Sequence, residues 1–140
     1  MKVRRIDSQG LFRIIDANFN RSKEALRVLE DVSRFFLDDK VLTKQFKEIR
    51  HALTESLKSL KIKELIAARD VDRDVGKKSS LSELKRKAVA DIFLANAQRL
   101  KESMRVLEEF AKLVSIKSAK QIKSLRYKIY VLEKKAAGKL

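Results

Sequence analysis

The sequence predicts an all-α protein, a four-helix bundle made of two helical hairpins related by a pseudo-twofold axis. Three observations carry this. The 140 residues include no proline and only three glycines (Gly10, Gly76 and Gly138), and 38% of them are charged, a composition typical of helices. Long runs keep apolar residues at helical spacing. One stretch also occurs twice. Ala17, Asn18, Arg21, Lys23, Glu24, Arg27, Val28, Leu29 and Glu30 recur between Ala95 and Glu108 at a constant offset of 78 residues (18 to 96, 27 to 105). A duplicated hairpin buries its apolar seam against its own copy.

Taken in order, Met1 to Asp7 reads as a short basic arm carrying Val3 and Ile6. A first helix starts between Ser8 and Leu11. It keeps Leu11, Ile14, Ile15, Val28, Leu29, Val32, Phe35 and Phe36 at helical spacing and ends at Asp38-Asp39. A second helix starts at about Val41, with Leu42, Phe46, Ile49, Leu53, Leu57 and Leu60 as its seam, and this helix or a continuation carries on through Ile66 to Ala68. The short connection makes helices one and two an antiparallel hairpin. Residues 69–80 form an irregular connector. Ser80 opens a third helix with Glu83 three residues on, a capping-box pattern. That helix runs to about Leu113, with a break foreseen near Lys85 to Lys87, and a fourth spans Ser118 to about Lys135. Lys44-Gln45 through Arg50-His51 is echoed by Lys120-Gln121 through Arg126-Tyr127 at an offset of 76, so the second turn is two residues shorter. The chain is thus one domain over 1–140, with repeat one at about 11–68 and repeat two at about 81–136.

No cysteine is present, so disulfides and thiolate metal sites are ruled out, which fits a cytoplasmic protein. No apolar run is long enough to span a membrane. The net charge of +15 suits nucleic acid, an anionic surface, phosphorylated small molecules or an acidic partner. The bases are mixed with acids throughout, which equally fits a solvated surface. Nucleic acid is disfavoured: no exposed aromatic set suggests base stacking and no helix-turn-helix stands out. The seven phenylalanines read mostly as core, and His51 as a boundary residue whose counterpart is Tyr127. An exposed apolar strip would support a homodimer.

On a helical wheel Asn18 falls within the apolar stripe and Arg21 inside its edge, with Glu24 and Arg27 continuing outward. Asn96, Arg99, Glu102 and Arg105 repeat the pattern, and Arg50 and Arg126 lie on the core side of helices two and four. A buried unpaired charge costs several kcal/mol, so these arginines need partners. They either pair with Glu24, Glu102, Glu30 or Glu108 in an internal network, or line a cleft for phosphate, which the guanidinium fork fits bidentately. Asp70, Asp72 and Asp74, followed by Gly76 in the connector, are either parts of a charged linker or a magnesium and phosphate site beside Lys77 and Lys78.

Arg13 through Arg21, Glu24 through Asp31, Lys47 through Leu53, Arg69-Asp70 to Gly76, Asn96 through Glu109 and Leu125-Arg126-Tyr127 together resemble the helical domain often fused to the N-terminus of thiamine-phosphate synthase, a hydroxymethylpyrimidine phosphate kinase family. The resemblance covers nearly the whole chain. It implies ATP-dependent phosphoryl transfer, with Mg²⁺, to 4-amino-5-hydroxymethyl-2-methylpyrimidine phosphate, a reaction of positioning and charge neutralisation. It further implies that Arg21, Arg27, Arg50, Arg99, Arg105 and Arg126 bind phosphates and that Asn18 and Asn96 orient substrate. Asp70 and Asp74 would serve as base or metal carboxylates, and Gly76 would let the backbone approach a phosphate. The alternatives are a non-catalytic helical domain that docks on or regulates thiamine-phosphate synthase, and a basic helical protein that binds nucleic acid without specificity.

Overall fold

The computed structural model describes residues 8–140, the Ser82 side chain excepted; the basic arm lies outside the described residues. Among these residues every regular element is a helix. They are α1 (Ser8–Asp31), a π-helical turn (Val32–Phe36), α2 (Lys40–Ser56), α3 (Ile62–Ala68), α4 (Leu81–Leu84), α5 (Val89–Ala111) and α6 (Ile116–Ala137). α1 packs on α2 and α5, α6 on α5 and α2, and α3 on α1. The four long helices therefore close a square, the four-helix bundle the duplication predicts.

Two contacts set the pairing of the repeats. Phe46, early in α2, meets Phe93, early in α5, edge-on at 6.2 Å. The Ser22 and Ser103 hydroxyls share a buried hydrogen bond of 2.7 Å near the middle of α1 and α5. The start of α5 thus lies beside the end of α1, so the two helices run antiparallel and the pseudo-twofold axis crosses them at right angles. Leu26, Leu29, Leu53, Phe46, Phe93, Leu100, Met104, Leu107, Ile122 and Ile129 fill the space between, all fully buried. Each such side chain contributes about 1.5–3 kcal/mol on leaving water.

Two features differ from the expected pattern. The second helix is not continuous to Ala68: it stops at Ser56 and the chain turns before α3. The chain turns over residues 57–61. The turn, closed by the Leu60 amide donating to the Leu57 carbonyl at 2.9 Å, brings Leu65 and Ala68 back onto the core. Phe35 and Phe36 are not core; they are 64% and 68% exposed. The π-turn, in which the Leu37 amide reaches the Val32 carbonyl at 3.1 Å, carries one more residue per turn than the wheel assumes and puts Ser33 inside instead. The third helix is interrupted as foreseen, into α4 and α5, and the Asp91 carboxylate caps the restart by accepting the Lys87 and Ala88 amides at 3.0 and 3.1 Å.

The first hairpin turn ends on Asp39, whose carboxylate accepts the Leu42 amide at 2.9 Å as the N-cap of α2 and also pairs with Lys139. The Leu42 amide, then Lys139, hold this carboxyl below its ordinary pKa. A carboxyl with a depressed folded pKa stabilises the fold above its unfolded pKa, and that contribution is lost as pH falls through the folded value. Asp39→Ala is expected to lower Tm at pH 7 and to remove part of the acid-induced fall in Tm below about pH 4, whereas Asp39→Asn keeps the cap. Thermal unfolding followed by circular dichroism across pH 2–7 checks this; identical pH profiles for wild type and Asp39→Ala would show that Asp39 carries no such linkage.

Candidate functional site

The apolar stripe of α1 bears polar interruptions that repeat in α5. Asn18 is buried and turns its amide back to the Ile14 carbonyl at 2.9 Å. Asn96 does the same to Ile92 at 2.8 Å. With both amides tied to their own helices, the side-chain oxygens face outward, and the Asn18 oxygen accepts from Arg21 at 3.4 Å. Asn18, Arg21, Glu24, Asn96, Arg99 and Glu102 line one cleft of about 660 Å³ between α1 and α5, with Gly76 and Glu83 from the connector along its edge. Asn18 and Arg21 also line an adjoining cleft of about 510 Å³, together with Arg13, Asp16, Arg69, Asp70 and Asp74.

Five expected site residues, Asn18, Arg21, Gly76, Asn96 and Arg99, thus meet around one space. Arg21 and Arg99 are exposed at the edge of the apolar stripe rather than buried in it; the long side chain carries its charge to water. Among the described residues neither forms an ion pair with a carboxylate. The remaining expected arginines have partners elsewhere. Arg126 is buried and donates to Glu108 at 3.1 Å and to the Tyr130 hydroxyl at 3.0 Å. Burial works against its charge, but these two acceptors outweigh it and raise its pKa. Arg50 pairs with Glu30 at 3.2 Å, Arg27 with the same carboxylate at 2.6 Å, and Arg105 with Glu109 at 3.6 Å. Glu30–Arg50 and Glu108–Arg126 are the same pair in the two repeats. The internal network and the cleft therefore coexist, on different arginines.

The connector carboxylates are occupied by their own loop. Asp70 accepts the Arg73 amide at 3.2 Å and Asp74 the Gly76 amide at 2.9 Å. No group of three or more His, Cys, Asp or Glu that could hold a metal ion exists among the described residues. Asp70 and Asp74 each serve as a turn acceptor through one carboxylate oxygen.

Sequence reasoning passed over Asp16. It is buried and accepts a two-pronged bond from Arg69, at 2.7 Å to Nε and 2.9 Å to Nη2. No wheel signal marks it, because residues two apart on a helix do not share a face; its burial comes with the Arg69 contact. This pair ties the start of the connector to α1. Arg69→Ala is expected to speed thermolysin cleavage within residues 70–88 several-fold while the core stays protected. An unchanged cleavage rate would show that the connector is held by something else.

A family model described as the ThiD2 family matches residues 13–135, most of the chain. The chain belongs to the ThiD2 family. This ThiD2 family member is 38% identical over 128 residues to a thiamine-phosphate synthase of Thermosynechococcus vestitus, covering 91% of this chain and 35% of the relative. It is 37% identical over 137 residues to one of Rhodopirellula baltica, covering 94% and 36%. It is 39% identical over 130 residues to one of Synechocystis sp., covering 92% and 37%. The chain spans about a third of the length of the curated relatives it matches. No solved structure gives a significant match. No helix among the described residues is long and apolar enough to cross a membrane.

These matches overturn the kinase expectation. The relatives are named as thiamine-phosphate synthases, and the chain matches about a third of each. They favour the alternative, a helical domain associated with thiamine-phosphate synthase.

Proposed function

We propose that this chain is a non-catalytic helical module that docks on thiamine-phosphate synthase and holds a phosphorylated ligand between α1 and α5. The observation that carries the reading is the match of nearly the whole chain to about a third of proteins named thiamine-phosphate synthase. The cleft supplies the ligand chemistry. Arg21 and Arg99 stand across the pseudo-twofold axis with their forks free of carboxylates, and Asn18 and Asn96 offer carbonyl oxygens beside them. Charge-assisted bonds from guanidinium to phosphate are the strongest such a site can make. The phosphorylated pyrimidine and ATP are the two ligands to test first, as molecules bound rather than converted.

Calorimetric titration of the chain into a thiamine-phosphate synthase lacking its own helical third tests the docking. Saturable binding with one chain per synthase subunit, and no conversion of either ligand by the chain alone, is the expected result. Absence of saturable binding would rule the reading out.

A further inference from the structure

We propose that the face formed by α2 and α6, opposite the cleft, is where the synthase sits, through an acidic surface with an apolar centre. This rests on the docking reading above and says which side of the bundle carries it. The α1 side of the bundle is covered by α3, and Gly76 and Glu83 of the connector flank the α1–α5 cleft. Among the described residues no further helix packs across α2 and α6. Between them runs a groove of about 400 Å³, whose floor is apolar (Ile49, Ala52, Leu125, Val131 and Leu132) and whose rim carries Lys128 and Lys135 from α6 and Glu48 from α2, the last paired with Lys44 at 3.9 Å. Val131 is 54% exposed there. Gln45 also lines the groove.

Charge selects the occupant. α6 carries six exposed lysines, Lys117, Lys120, Lys123, Lys128, Lys134 and Lys135. Its remaining charges turn inward, with Arg126 on Glu108 and Glu133 on Lys101. No carboxylate pairs with those lysines among the described residues. The outward face of α6 is therefore uniformly positive around an apolar strip, the complement of an acidic rim around apolar side chains. A second copy would bring lysines against lysines. A phosphate backbone has nothing to place on the apolar floor. The relatives supply the occupant: about two thirds of each lies outside the part this chain matches.

Calorimetry with the synthase lacking its helical third, comparing wild type, Val131→Asp, Lys128→Glu combined with Lys135→Glu, and Arg99→Ala, tests this. Both groove variants are expected to bind at least tenfold more weakly and Arg99→Ala within twofold of wild type, all with unchanged circular dichroism. Wild-type binding that the groove variants retain would overturn the face while leaving docking intact; no wild-type binding would overturn both. A random DNA duplex bound by wild type and lost in the lysine variant, with synthase binding untouched, would mark a polyanion surface and overturn the inference.

Discussion

Arg126→Ala is expected to destabilise the fold by about 3–5 kcal/mol, the cost of leaving a buried charge without its partner, and to lower Tm by roughly 10 °C. Arg126 and Glu108 side chains are 5% and 7% exposed, so neither water nor a nearby lysine can take over from the lost guanidinium. The Tyr130 hydroxyl would lose its contact as well. The counterpart Arg50→Ala should cost less, because Arg27 stays on Glu30 at 2.6 Å and the Arg50 side chain is 17% exposed. Urea unfolding of both variants measures the difference. Replacing the pair together, Arg126→Met with Glu108→Leu, should recover most of the loss, since well-packed apolar residues match or exceed a buried ion pair. A loss below about 1 kcal/mol for Arg126→Ala, the level of an exposed pair, would show that the network does not lock the second hairpin.

Arg21→Ala and Arg99→Ala are each expected to weaken binding of a phosphorylated ligand by about 10- to 100-fold, the range for a hydrogen bond to a charged group. Stability should change by less than about 0.5 kcal/mol, because both side chains are exposed and such surface substitutions rarely do more. Arg105→Ala is the control: its guanidinium sits on Glu109, and affinity should hold within twofold. Inorganic pyrophosphate at low ionic strength is a suitable calorimetric probe, since screening weakens exposed arginine contacts as salt rises. Equal affinities for wild type and both cleft variants would remove the cleft from the account.

The architecture was legible because duplication states it twice. A helix wheel drawn on either repeat finds the seam, and the constant offset makes the seams face each other. The Asn18 and Asn96 positions were legible for the same reason. The choice between ligand and network was not: a wheel places Arg50 and Arg126 on the inner side but is silent about what they reach. Only the packing of α1 on α2 and of α5 on α6 sets Glu30 and Glu108 opposite them. Phe35 and Phe36 were misplaced because a single π-turn changes the angular step that every wheel assumes. The bend between α2 and α3 is marked by no proline or glycine and comes with the packing of α3 on α1, a tertiary contact no local pattern carries. The sequence also does not show that Asp70 and Asp74 each accept a backbone amide, three and two residues on, through one carboxylate oxygen.

The central claim is that the helical unit acts through the synthase and not by chemistry of its own. The most direct measurement is the rate of thiamine-phosphate formation by a synthase lacking its helical third, titrated with this chain. A rate that changes saturably with the chain, and that the Arg21→Ala/Arg99→Ala double variant leaves unchanged although it still docks, is the expected result. A rate flat across the titration, with no complex on a sizing column, would contradict it.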